Sequence, residues 1–180
     1  MKKMTSEARH PLLFKKPPSH MSQAEFIQTF SGIYEHSPWA VEQLWQSGID
    51  ESFDKIESFH AKIMGVVNNI EYNQKMELIR KHPDLAGKAS LKGELTPSST
   101  HEQSSAGLDQ CSEEELEQFH QANQAYQSKF GFPFIMAVRH SNRYDILAAF
   151  KERLPHTHEE EFNRAMEEIH KIALFRLQDL

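Results

Sequence analysis

A single cysteine, Cys111, stands among the 180 residues, so no internal disulfide framework exists and a reducing compartment suits the chain. Nowhere does the sequence approach the roughly 18 consecutive apolar residues that a membrane-spanning helix needs. Glycine is sparse, at seven residues, and none of it forms a phosphate-cradling loop, which removes nucleotide cofactors from consideration. Gly-x-Ser-x-Gly, His-Glu-x-x-His and paired-cysteine spacings are all missing, so neither an activated serine nor a familiar zinc site is indicated. Positive charge is short as well: 20 Lys and Arg face 26 Asp and Glu, a net charge of −6 with interspersed signs. That excludes the basic stripe of a nucleic-acid-binding surface. Residues 1–19 are basic but carry no apolar stretch of the kind that makes a secretory signal, so the expected location is the cytoplasm.

What the chain does have is aromatic bulk and helix starts. Twelve phenylalanines concentrate a modest 38% apolar content into large side chains, and the length suits one domain. Residues 1–20, with Pro11, Pro17 and Pro18, have no period and read as a loose leader ahead of a domain spanning 21–180. Ser22–Glu25, Ser112–Glu115 and Thr157–Glu160 have capping-box spacing, and each precedes apolar residues at steps of three and four. Ser37-Pro38, Thr96-Pro97 and Ser141 mark further starts. A helix is expected from about Ser52 to Asn68 and another from about Asn73 to His82. The run 130–138 is apolar but broken by Gly131 and Pro133, and no convincing strand exists to pair with it. It is expected to be an extended, buried segment whose backbone groups need partners. The fold class is all-α, a single compact domain of about eight helices.

Two stretches concentrate chemistry. Lys81-His82-Pro83-Asp84-Leu85-Ala86-Gly87-Lys88 places an imidazole where Pro83 disfavours helix, hence at a helix end. Ser99-Thr100-His101-Glu102-Gln103 opens the next helix, with Ser99, Glu102 and Gln103 sharing one face. A carboxylate that hydrogen-bonds one imidazole nitrogen sets the tautomer and favours the charged form, so Glu102 is the expected partner of His82. Arg176 is the third signal. Phe162, Met166, Ile169, Ala173 and Arg176 follow at steps of 4, 3, 4 and 3, placing a guanidinium on the core-facing stripe. An anion, from a protein carboxylate or a substrate, is expected to meet it there. The eleven histidines raise a metal reading, but His156-x-His158 with Glu159, Glu160 and Glu161 runs from a loop into a capped helix, and the rest are scattered singly.

Taken together, His-Pro-Asp-Leu-Ala-Gly-Lys at 82–88, Ser-x-x-Glu-Gln at 99–103, Ala-Gly-Leu-Asp at 106–109, Phe-Gly-Phe-Pro-Phe-Ile at 130–135 and Arg-Leu at 176–177 resemble the 2-oxo-4-hydroxy-4-carboxy-5-ureidoimidazoline (OHCU) decarboxylases. Tyr-Glu-His-Ser-Pro-Trp at 34–39 and Ile-Leu-x-x-Phe-x-x-Arg-Leu at 146–154 match as well. The resemblance covers residues 21–180. It implies an all-helical homodimer, working without metal or organic cofactor on a small ureidoimidazoline substrate, that completes the conversion of urate to (S)-allantoin. It also implies His82 as catalytic acid/base with Glu102 as its partner. Pro83, Ser99, Thr100, His101, Gln103 and Arg176, with Phe132, Pro133, Phe134, Ile135 and Met136, would surround the substrate. The ending Gln178-Asp179-Leu180 differs from the peroxisomal Ser-Lys-Leu address common in eukaryotic relatives. Two other readings compete: a helical module that binds ureides without converting them, and a metal hydrolase of related ureides that uses the histidines.

Overall fold

Hydroxyl, amide and carboxylate caps divide the chain into helices at the positions the spacing indicates. The computed structural model describes residues 10–87 and 91–180; Lys88 and the first nine residues of the leader lie outside them. Eight α-helices are described: α1 Gln23–Phe30, α2 Trp39–Gln46, α3 Ile56–Asn68, α4 Tyr72–Arg80, α5 Pro97–Ser105, α6 Glu113–Phe130, α7 Arg143–Arg153 and α8 His158–Gln178. The capping boxes of Ser22, Ser112 and Thr157 all close, and Thr96 accepts from the Ser99 N–H at the start of α5. The start of α7 differs by one residue. Asn142 rather than Ser141 is the cap, its amide oxygen accepting from the N–H groups of Tyr144 and Asp145.

The helix expected from Ser52 is divided. Glu51–Asp54 form a 3-10 turn, Lys55 is extended, and α3 begins at Ile56. Lys55 is extended because it pairs with Leu13 in an isolated antiparallel bridge, while Leu12 accepts the Ile56 N–H. Part of the leader is therefore tied to the domain: Phe14 is buried against Phe30 and Phe59, and Ser19 holds the Asp54 carboxylate.

Aromatic rings fill the core in two groups. Phe14, Phe26, Phe30, Phe53 and Phe59 meet where α1 and α3 pack; Tyr126, Phe130, Phe132, Phe134 and Phe150 meet where α6 and α7 pack. A fully buried phenylalanine contributes about 1.5–3 kcal/mol relative to exposure. Between the two groups runs α8, which packs on α3, α4 and α6 and carries Arg176 near its end.

The segment 132–138 forms neither helix nor strand, in keeping with Gly131 before it and Pro133 within it; Gly131 ends α6 at φ +77°, a conformation glycine adopts without strain. Two buried charges hold its backbone. Arg153 Nη1 donates to the Ile135 carbonyl at 2.7 Å, and the Ala137 N–H donates to Glu168 at 2.8 Å. Arg153 is anchored in turn by Glu161 at 2.8 Å, which also accepts from the Tyr126 hydroxyl. No helix among the described residues is long and apolar enough to cross a membrane.

Candidate active site

The α4 helix stops at Arg80 because the residue before Pro83 cannot remain comfortably helical, and His82 follows as the chain turns. His82 is buried, and its Nδ1 lies 3.0 Å from the Leu78 carbonyl. A carbonyl only accepts, so Nδ1 carries the hydrogen and Nε2 holds the lone pair. Nε2 has no hydrogen-bond partner among the described residues, and the ring lines a small internal cavity. Burial pushes the His82 pKa down to about 4 despite the Leu78 carbonyl and the nearby negative charge of Glu35, so the ring is neutral at pH 7.

Across the cavity stand Pro83, Leu85, Ser99, Glu102 and Gln103 on one side. Phe134, Ile135, Met136 and Val138 of the segment after α6 form another, and Ile172 and Arg176 of α8 complete it. The cavity has a volume of about 30 Å³, room for about one water, so a ring-sized ligand enters only as the walls part. Ile135 and Met136 donate their N–H groups to nothing among the described residues.

Arg176 is 8% exposed and meets oxygen on all but one of its donors. Nε and Nη2 fork onto the two Glu102 oxygens at 2.7 and 3.0 Å, Nη1 donates to the Gly32 carbonyl at 2.9 Å, and Nη2 lies 2.8 Å from Glu35. Burial works against this charge, but Glu102 and Glu35 outweigh it and hold the pKa above its ordinary value. Of the five guanidinium donors, one Nη1 hydrogen is left over. Beyond the fork lies an outer groove of about 340 Å³, bordered by His101, Asp179 and Leu180, so the Arg176–Glu102 pair forms the wall between the groove and the cavity.

The structure redistributes several of the expected roles. Glu102 is bound to Arg176, not to His82, because the guanidinium offers it a two-pronged match while His82 spends its Nδ1 on Leu78. Gln103 spends both ends of its amide on the loop that follows His82, accepting from the Ala86 N–H and donating to the Asp84 carbonyl. That clamp holds Ala86 at φ +51°, which a residue with a side chain adopts at some cost. Thr100 and His101 face outward from α5, Thr100 bonding back to the Thr96 carbonyl and His101 bordering the outer groove; neither reaches the cavity. Phe132 and Pro133 are buried but away from it, Phe132 packing on Tyr126, Phe130 and His158. His82, Pro83, Ser99, Glu102, Gln103, Phe134, Ile135, Met136 and Arg176 do converge.

Glu35 has no place in the expected set. It is 2% exposed in the turn between α1 and α2, and accepts from Thr96 at 2.7 Å and from Ser99 at 3.1 Å while pairing with Arg176. Burial acts to raise its pKa, but Arg176 and Thr96 more than offset this, and it remains below the usual carboxylate range. No helical stripe marks it, because it lies outside any helix; the next residue, His36, takes a positive φ of +46° that lets both Glu35 and Ser37 turn inward. Glu161 and Glu168 are different. They share the buried stripe Glu161, Ala165, Glu168, Ile172 on α8, the same kind of signal that singles out Arg176. Among the described residues no three His, Cys, Asp or Glu side chains gather as a metal site.

Comparison with known proteins places these features in a family. Residues 19–178 match the family model described as OHCU decarboxylase. A 2-oxo-4-hydroxy-4-carboxy-5-ureidoimidazoline decarboxylase of Haloferax volcanii is 35% identical over 161 residues, covering 89% of this chain and 92% of that protein. A uric acid degradation bifunctional protein of Bacillus sp. (strain TB-90) is 36% identical over 162 residues, 90% of this chain; the chain spans only 31% of that longer relative. Among solved structures, an OHCU decarboxylase crystallised in the presence of (S)-allantoin superposes with a TM-score of 0.66 at 25% identity, covering 84% of this chain and 96% of that one.

Proposed function

This chain belongs to the OHCU decarboxylase family, and from that premise we infer that it removes CO2 from 2-oxo-4-hydroxy-4-carboxy-5-ureidoimidazoline to leave (S)-allantoin, the closing step of urate conversion to allantoin. The observation that carries the reading for this chain is the cavity itself: His82, whose Nε2 has no partner among the described residues, Arg176, and Ile135 and Met136, whose N–H groups are unspent among the described residues, line one small space.

Losing CO2 from a carboxylate leaves an electron pair and requires one proton. The substrate's own conjugated ring can accept the pair, so no Schiff base or thiamine is required. The protein's tasks are to turn the carboxylate out of the ring plane, to stabilise charge as it develops and to deliver the proton to one face. The N–H groups of Ile135 and Met136 suit ring and ureido oxygens, and Arg176 suits an anionic or carbonyl oxygen. His82 Nε2 is the atom placed to handle the proton. Glu102 acts on this site through Arg176, as the solvent-facing half of the wall, since a quarter of its side chain reaches solvent. The remaining elements of the proposal are a homodimer, a cytoplasmic location and activity without metal.

The test is incubation with freshly generated substrate, followed by optical activity. Appearance of (S)-allantoin above the background rate supports the reading, and a rate equal to background makes the protein at most a passive binder. Activity that survives EDTA excludes an essential accessible metal.

A further inference from the structure

Charge in the cavity does not balance. Glu35 and Glu102 bring two carboxylates to one guanidinium, Arg176; Glu35 at 2% and Arg176 at 8% exposed are closed off from solvent, while Glu102 keeps a quarter of its side chain exposed. His82 adds nothing, because with Nδ1–H on the Leu78 carbonyl and Nε2 bare it is neutral. The site therefore holds one net negative charge before any ligand arrives. We propose that Glu35 is a positioning residue that keeps this excess charge, so that an anionic ring enters the cavity together with a proton, taken up on His82 Nε2. The proposal rests on the decarboxylase reading and adds to it when the reaction's proton arrives and which residue sets that timing.

Glu35 is suited to the part by its fixity. Four groups from three elements hold it: Thr96 and Ser99 by their hydroxyls, Arg176 by its charge, and the mostly exposed His36, whose Nε2 lies 3.8 Å away. Glu102 can relieve local repulsion by turning outward, since it borders the outer groove; Glu35 has no such exit. The charged and titratable groups around His82 are Glu35, Arg176 and His36, with Glu102 in the wall of the same cavity. The segment 134–138 and Ile172, which close the remaining sides, bring no titratable group. A carboxylate ligand entering here raises the excess at the site to two negative charges, which a largely desolvated site disfavours. Nε2 is the unfilled proton site nearest to hand. The low pKa of His82 in the empty site means that this proton comes with the ligand and is not stored beforehand.

The balance then closes over one turnover. The bond between the ring carbon and the carboxylate breaks, CO2 leaves, and the electron pair passes into the ring. The proton moves from His82 Nε2 to ring carbon, which returns His82 to neutrality and leaves an uncharged product. One proton enters with each anion, and none leaves with the neutral ureide.

Isothermal titration calorimetry on the full chain, in two buffers of different ionisation enthalpy at pH 7.5, counts the protons. Hydantoin-5-acetate serves as the unreactive anionic probe and (S)-allantoin as the neutral one. The expected result is uptake of about one proton with hydantoin-5-acetate and about none with (S)-allantoin. Glu35→Gln keeps the shape and removes the charge, and should lower uptake with the anion to under about half. Glu35→Asp keeps the charge and should preserve uptake even where affinity falls. Equal uptake for the two probes, uptake near zero with the anion, or uptake unchanged in Glu35→Gln overturns the proposal; so does failure of hydantoin-5-acetate to bind. If Glu35→Gln does not fold, the wild-type comparison of the two probes and Glu35→Asp still decide. Turnover of freshly generated substrate by a protein that takes up no proton on binding hydantoin-5-acetate sinks this inference alone, whereas absence of turnover sinks the decarboxylase reading beneath it.

Discussion

Replacing Arg176 by methionine keeps much of the side chain's length and removes the guanidinium that pairs with Glu35 in the cavity wall. Breaking a buried pair by deleting one partner costs about 3–5 kcal/mol, because the other charge is left without compensation. Here two carboxylates lose their partner, but unequally: Glu102 is a quarter exposed and can turn to water, while Glu35 is sealed in with only the Thr96 and Ser99 hydroxyls. The penalty should therefore lodge at Glu35. With an unfolding entropy of about 2.1 cal/mol/K per residue, a 180-residue domain should lose about 8–13 °C in Tm. Scanning calorimetry or circular dichroism at pH 7.5 measures it. Adding Glu35→Gln to Arg176→Met should recover more than half of the loss, and adding Glu102→Gln should recover much less. Lowering the pH towards 5 should also narrow the gap to wild type, as the stranded carboxyl takes a proton. A Tm loss below about 3 °C, or equal recovery from the two second substitutions, would refute the argument that Glu35 is the trapped charge.

Other outcomes follow from the same geometry. His82→Ala should lose most turnover while its circular dichroism spectrum stays that of the wild type; a near-wild-type rate in the optical-activity assay would remove His82 from the chemistry. Gln103→Ala leaves the Ala86 N–H without its partner and frees the Asp84 carbonyl, so urea unfolding should show a loss of about 1–3 kcal/mol and the 84–86 loop should gain amide exchange. Tyr126→Phe removes the hydroxyl that donates to Glu161 behind the Ile135 carbonyl, at a cost of about 1.5–3 kcal/mol in the same assay. His170 is neutral and buried, its Nε2–H on Asn68 and its Nδ1 accepting from Tyr34, and burial pushes its pKa down to about 4. A basic group lowered in this way contributes stability that is complete above its unfolded pKa of roughly 6.5 and is lost as the pH falls to 4, about 3 kcal/mol in all. His170→Gln should flatten the dependence of the urea midpoint over that window.

How far the fold was legible depends on the range of the forces involved. Ser22, Ser112 and Thr157 start helices through contacts with residues three positions along, so spacing alone locates them. Gly131 and Pro133 rule helix out of the apolar run locally, and residues 132–138 are neither helix nor strand in the structure. Lys55 is a counterexample: its conformation depends on Leu13, more than forty residues earlier in the chain, and nothing near Lys55 announces the break. At the site, the helix end at His82 and the buried stripe position of Arg176 were both visible as local pattern.

What the sequence by itself determined is therefore everything governed by neighbours along the chain: an all-helical domain, an imidazole at a broken helix end, a guanidinium on a buried stripe, and the family motifs around them. The tertiary structure alone decided the partners. Glu102 and His82 belong to adjacent segments and satisfy the chemical rule for pairing, yet a forked guanidinium arriving from α8 is the better match for a carboxylate, and His82 turns to Leu78. Glu35 enters from a turn with no period at all, and its importance exists only because burial makes charges from three distant segments answer to one another. Hydrogen bonds along a helix are set by sequence distance; the balance of charge in a closed cavity is set by which distant segments meet there.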